Sequence, residues 1–159
     1  MRLIVAAAVM FILTFAPSAR AQGAMSYGTS ITAETAKKVA APAIAEAKKN
    51  GWAMAVAIVD TAGELVYFER MDDTQIGSVN IAQDKARSAA RFKRPTKSFQ
   101  DTLAAGGEGL RILALQGAIP VDGGIPLVVG GKVVGAIGAS GGTSTQDGQV
   151  AAAGAAALK

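Results

Sequence analysis

The sequence predicts an α/β fold of the α+β kind, an antiparallel sheet with helices packed on it, and three observations carry that prediction. The elements run helix, hairpin, helix, hairpin, helix, an order that contains no parallel doubly wound repeat. Residues Gly123 to Gly142 hold two apolar strands joined by Gly130-Gly131 and bracketed by two further glycine pairs. A glycine pair between β-branched runs marks a two-residue hairpin, because primed turns need positive φ. The other hairpin turns at Thr61-Ala62-Gly63-Glu64, where glycine supplies the left-handed residue.

The first element is a leader. Arg2 gives a positive start, Leu3 to Ala16 form an apolar run short for a membrane span, and Ala19-Arg20-Ala21 has the form of a cleavage site. We read residues 1–21 as a signal peptide and residues 22–159 as one domain. The expectation is a periplasmic or secreted protein with no stable membrane insertion after cleavage. The leader removes two of the 16 basic residues and none of the 12 acidic ones, leaving 14 against 12, a net charge of +2. That balance does not argue for a nucleic-acid partner, which needs a basic, aromatic-interleaved face.

Ser30 to Lys49 follows as a helix with Ala36, Val39, Ala40, Ala43 and Ala47 on one face and Asn50-Gly51 as its stop. Pro42 predicts a kink or two short pieces, since proline removes a donor and clashes one turn back. Trp52 to Asp60 and Leu65 to Arg70 make the first hairpin. A helix is expected from about Thr74 to Phe92, with Asp72-Asp73 suiting its positive pole. Its stripe Val79, Ala82, Ala86 and Ala90 permits close approach to a sheet, and Lys85 is the charge nearest that buried side. Pro95 to Gly109 reads as a loop with a short helix at Lys97 to Ala104. Leu127 to Val129 should pair back on Val133 to Ala139, and Gln146 to Leu158 forms a terminal helix. Gly135 and Gly138, inside the second strand of that hairpin, mark a place where a backbone or a ligand comes close.

With no histidine and no cysteine, a Ser-His-Asp triad, a thiolate nucleophile, a zinc finger and a histidine-ligated haem are excluded. No disulfide framework exists either. Proton transfer falls to carboxylates, lysine or tyrosine, and no metal site is expected.

Three features carry the remaining chemistry. Ser140-Gly141-Gly142-Thr143 joins a strand to a helix whose first turn holds Gln146 and Asp147. It reads either as a cradle of backbone donors for a carboxylate or phosphate, or as a capping box from Thr143 to Gln146 or from Ser144 to Asp147. Arg70, in Glu69-Arg70-Met71-Asp72-Asp73, either forks onto a ligand carboxylate or pairs with a local acid such as Asp60. The basic run Lys85, Arg87, Arg91, Lys93, Arg94 and Lys97 reads as a solvated helix face, except for Lys85. A partly buried lysine acts as a base or electrophile, or forms a structural ion pair.

Five motifs in order resemble the GlcG/HbpS family. They are Val59-Asp60-x-x-Gly63-x-Leu65; Arg70-Met71-Asp72; Ser78 with Ala82-x-x-Lys85-Ala86; Gly123-Gly124-x-Pro126; and Gly135-Ala136-Ile137-Gly138-x-Ser140-Gly141-Gly142 followed by Gln146-Asp147. The resemblance spans about Ile31 to Leu158. It implies a profilin-like domain, a five-stranded antiparallel sheet flanked by helices, that assembles into homo-oligomers from dimers to octamers. It also implies an exported binding protein for haem, another tetrapyrrole or a similar anionic small molecule.

Without histidine, an axial haem ligand would have to be Tyr27, Tyr67, Met25, Met54, Met71, a lysine or a hydroxyl such as Thr143. The ligand-binding candidates are Arg70, Met71, Lys85, Gly123, Gly124, Ser140, Gly141, Gly142 and Thr143. Two other readings are an isomerase or lyase for a small carboxylic acid, with Lys85 or Asp60 moving the proton, and an accessory protein acting through assembly.

Overall fold

Every position of the central strand is buried, and its side chains point alternately to two helical layers. In the computed structural model, which describes residues 25–158, the elements run β1 (Ser26–Tyr27), α1 (Ala33–Lys49), β2 (Ala55–Val59), β3 (Leu65–Arg70) and α2 (Ser78–Phe92), then α3 (Thr96–Ala104), a 3₁₀ helix (Gly107–Ala114), β4 (Gly124–Val129), β5 (Lys132–Ser140) and α4 (Ser144–Ala155). The leader expectation lies outside the described residues. Ala55, Ala57 and Val59 join Ala136 in a cluster with the α2 alanines. Val56 and Ile58 join Leu127 and Ile137 in a cluster with α1 and Val150 and Ala151 of α4. The sheet is therefore the middle of three layers, its period-two alternation read by helices on both faces.

β3, β2, β5 and β4 pair antiparallel, as the two hairpins predict. Gly130 and Gly131 both take positive φ, 55° and 75°, as a primed turn needs. The expectation of a purely antiparallel sheet is overturned by β1, which runs parallel to β5 and pairs with Lys132 and Val133. β2 covers only Ala136 to Ser140 of β5, and β1 takes the start of that strand. Two residues carry no periodicity to read. They are fixed by long-range bonds instead: Gly28 and Ile31 N–H donate to Val133 and Val134 O, both at 2.8 Å, and the Tyr27 hydroxyl to Ala90 and Arg91 O at 3.1 and 3.0 Å.

Other differences have local causes. α1 runs unbroken through Pro42, because the turns on either side of it bury Val39, Ala40, Ala43, Ile44 and Ala47, and tertiary packing outweighs a single helix breaker. α2 starts at Ser78, four residues later than expected, with no acid in its first turn. Asp73 takes the left-handed conformation, φ 62°, so Asp72-Asp73 belong to the turn before the helix rather than to its positive pole.

The glycines inside β5 answer the question of what comes close. A Cβ on Gly138 would collide with Ala82 O and stand 2.6 Å from Ala86 N, and one on Gly135 would collide with Val59 O. In both cases the neighbour is backbone. Gly138→Val is expected to destabilise the domain by about 1–3 kcal/mol or to prevent folding, since an overpacked interior has to push α2 off the sheet. Urea denaturation followed by circular dichroism measures this, and an unchanged midpoint would contradict the packing described.

Candidate functional site

Most of the residues singled out by the sequence meet at one end of the sheet. Ala55 stands in register with Arg70 on β3 and with Ser140 on β5, so these two flank the start of the central strand. Met71 continues from Arg70, and its N–H donates to Met54 O at 3.0 Å. Gly141 continues from Ser140 and packs on Met54, whose Sδ a Cβ there would meet at 3.0 Å.

Beneath this end lies a buried ion pair. Lys85 is 1% exposed, and its Nζ donates to Asp147 Oδ2 at 2.6 Å and to Ala139 O at 3.2 Å. The other carboxylate oxygen, Oδ1, accepts the Gly142 N–H at 3.0 Å. Gly123, φ 122°, leaves room for the pair, since a Cβ there would stand 3.0 Å from Lys85 Nζ and 2.8 Å from Asp147 Cβ. Gly124 is fixed on the other side, its N–H donating to Thr96 Oγ1 at 2.9 Å. Burial pushes the Asp147 carboxyl above its usual range, against the pull of the Lys85 ammonium and of the Gly142 and Gly141 N–H groups.

Of the two readings of the Ser140–Thr143 turn, the cap is the one that forms. Thr143 Oγ1 accepts the Gln146 N–H and Gln146 Oε1 accepts the Thr143 N–H, completing a capping box on α4. With Gly142 bonded to Asp147, the Gly142 and Thr143 donors are held internally. Asp147 is not the box partner but the counter-ion of Lys85.

A second polar seam runs beside the first. Ser140 and Ser78 hydroxyls lie 3.2 Å apart, and Gln75 Nε2 donates to Ser78 Oγ at 2.9 Å. Thr74 is 7% exposed, and its Oγ1 has no hydrogen-bond partner among the described residues. Sequence reasoning passed over Thr74, because the helix expected to start there begins at Ser78 instead.

Other candidates fall elsewhere. Asp60 sits past the opposite end of β2, where its Oδ1 accepts the Ala62 and Glu64 N–H groups at 2.9 and 2.8 Å. The Arg70–Asp60 pair therefore does not form, since the length of β2 separates them, and Asp60 and Lys85 do not face a common ligand. Arg70 is exposed and has no ion-pair partner among the described residues. The basic run is locally satisfied: Arg87 on Asp84, Lys97 on Asp101, Arg91 on Ala62 O and Glu64, Lys93 over the Tyr27 ring and Arg94 over that of Phe99. The Tyr67 hydroxyl donates to Glu69 at 2.9 Å, Met54 is fully buried, and Met25 and Met71 are half-buried. An open cavity of about 390 Å³ lies at the start of α1 and β5, away from the glycine turn. Among the described residues no helix is long and apolar enough to cross a membrane.

A three-layer α+β domain with a mixed five-stranded sheet and a buried, internally capped polar end defines the class of protein. Its family follows from comparison with known proteins. The family described as "Haem degrading protein HbpS-like" matches residues 31–156, and the chain belongs to it. Protein GlcG of Escherichia coli K12 is 38% identical over 110 residues, which cover 69% of this chain and 81% of that protein. The crystal structure of a double mutant of Streptomyces reticuli HbpS superimposes with a TM-score of 0.76 at 32% identity, covering 92% of this chain and 99% of that one. The crystal structure of a PduOC:haem complex gives 0.74 at 28% identity, covering 82% and 96%.

Two outcomes follow from the buried pair. Lys85→Met, which leaves the Asp147 carboxylate uncompensated, is expected to cost about 3–5 kcal/mol, while Lys85→Met with Asp147→Leu recovers much of that loss; denaturant titration of both variants separates a pair from two independent side chains. Asp147 is an acid whose folded value lies above its unfolded one, so its favourable contribution is complete below the unfolded value and is lost as pH rises through the folded one. The stability of the wild type relative to Asp147→Asn is thus expected to fall as the pH climbs through that midpoint. A carboxyl ¹³C titration placing Asp147 at or below the surface aspartates would contradict the assignment.

Proposed function

We propose that the chain is an exported, self-associating protein that binds haem at the end of the sheet where Arg70 and Met71 meet the Ser140–Thr143 turn. The observation that carries this reading is the placement, at the end of β3, of an exposed Arg70 without an ion pair among the described residues next in sequence to a half-buried Met71 that packs on the cluster of the α1 face. Methionine is one of the axial ligands haem iron accepts, and arginine matches a carboxylate such as a propionate in fork geometry.

The donor set narrows to these residues. Tyr27 and Tyr67 give their hydroxyl protons to Ala90, Arg91 and Glu69, Met54 is buried, and Thr143 caps α4. The orphaned hydroxyl of Thr74, between Met71 and Ser78, is a further polar group this end leaves unmatched. When bound, haem would supply the iron chemistry; the chain's part is to ligate, to orient the propionates and to shield one face. Gly123, Gly124, Ser140, Gly141, Gly142 and Lys85 shape that wall from behind.

The match to a family described as haem degrading and the similarity to a haem complex support the same reading. The resemblance also supports assigning the architecture to the profilin-like class. Export, to the periplasm or beyond the cell, rests on the leader read in residues 1–21. Exposed apolar side chains such as Leu113, 70% exposed, favour self-association. Binding is preferred to proton transfer on a small acid because the Lys85 ammonium is buried and bonded, and Asp60 stands at the far end.

Haem titration of the purified protein is expected to give a shifted Soret band. Arg70→Ala should weaken binding by about threefold to tenfold, and Met71→Ala should move the band by changing the iron ligation. A spectrum identical to that of free haem, with haem in excess, would sink the proposal; a band that forms and then decays would distinguish breakdown from storage.

A further inference from the structure

The cavity at the opposite end of the sheet has its own chemistry. It opens between the segment that follows β1, the first turn of α1 and the hairpin of β4 and β5, with a volume of about 390 Å³, within the range of about 300–1,000 Å³ common for small-molecule sites. Its apolar walls include Ile31, Val134 and Leu158, and Thr29 and Thr35 also line it. Among the described residues its one charged lining residue is Lys132, and no carboxylate side chain lines it. Lys132 enters no salt bridge among the described residues, unlike Lys38, Lys85 and Lys97.

The position of that lysine is built into the backbone. Its stem lies along Gly28, where a Cβ would stand 3.1 Å from Lys132 Cβ and 3.7 Å from Lys132 Cδ. Gly28 in turn is fixed by its N–H to Val133 O, and Ile31 by its own to Val134 O. The parallel strand β1 thus holds the lysine stem and the apolar floor together, in one wall of one cavity.

We propose that this cavity binds a small amphipathic carboxylate, with the apolar tail against Ile31, Val134 and Leu158 and the carboxylate toward Lys132. An apolar lining that holds, among the described residues, one unpaired cation and no acid favours an anionic head over a neutral or cationic one. Volume restricts the tail to a short alkyl or single-ring group. The site is separate from the Arg70–Met71 end and does not depend on haem binding.

The test uses the whole purified protein, with octanoate as probe and octanol and octylamine as neutral and cationic counterparts, followed by NMR. Octanoate is expected to shift the resonances of Ile31, Val134 and Leu158 saturably, with octanol weaker. Lys132→Met should lower octanoate affinity by about threefold to fivefold, the size expected for an exposed charge pair, and leave octanol unchanged. Gly28→Ala, which displaces the lysine stem, should weaken octanoate in the same direction. Equal affinity for octanoate and octanol, shifts confined to the Arg70–Met71 end, or no saturation would each overturn the proposal. So would groove signals that follow protein concentration, which would make it a contact between copies. Occupation by the chain's own residues 22–24 or Lys159, seen as binding gained only on their removal, would overturn it too.

Discussion

The buried Lys85–Asp147 pair is the interaction on which the rest of this end depends. Lys85 belongs to α2, Asp147 to α4, and the two helices cover opposite faces of the sheet. Their charges meet past the end of the β sheet, where Ala139 O and the Gly142 N–H complete the bonding. Four pieces of chain, α2, α4, β5 and the glycine turn, are therefore tied by three bonds centred on this 2.6 Å contact. A pair this deeply buried gives little net stability over an apolar substitute, but removing one partner leaves an uncompensated charge. What it secures is geometry: α2 and α4 cannot slide independently without breaking it.

That geometry requires small residues around it. Gly123 passes over the pair and Gly124 over the Lys85 backbone with no room for a side chain, and α2 approaches β5 so closely that Gly138 touches helix backbone. Ala82, Ala86, Ala89 and Ala90 are all fully buried on the α2 face. Each contributes little apolar area, so this layer depends on dispersion at close range and tolerates no added volume. The opposite face, with Val56, Ile58, Leu127 and Ile137, carries the larger side chains and most of the hydrophobic burial. The sheet is thus asymmetric, one face packed tightly by small residues and the other by bulk.

Legibility in the sequence followed the range of the interactions. Both hairpins, the short α3 and the small-residue stripe of α2 rest on neighbours a few residues apart, and glycine position and apolar period disclosed them. Lys85 stood out as the charge nearest the buried side, yet its partner lies 62 residues away, and Asp147 read instead as part of a cap. β1 is fixed entirely by distant bonds to β5 and α2, so two residues of strand left no pattern. The glycines of β5 announced a close approach without saying what approached; it is backbone on both occasions. Thr74 was missed for a related reason: a threonine before an expected helix draws no attention until the helix begins a turn later and its hydroxyl is left without a partner.

The internal capping of the glycine turn decides what recognition at this end can use. A glycine-rich turn at a helix start ordinarily offers free N–H groups to an anion. Here Gly142 and Thr143 donate to Asp147 and Gln146, side chains of the same helix, so these two N–H groups are already matched by residues of α4. With those two donors taken, the exposed side chain at this end that fits an anion is Arg70. On the haem reading, its partner Met71 is a ligand that does not titrate, and arginine keeps its charge throughout the accessible range. A histidine site changes charge near neutrality. Recognition built on Arg70 and Met71 has no such switch of its own, and the one carboxyl raised by burial, Asp147, acts behind the wall on stability rather than on the ligand.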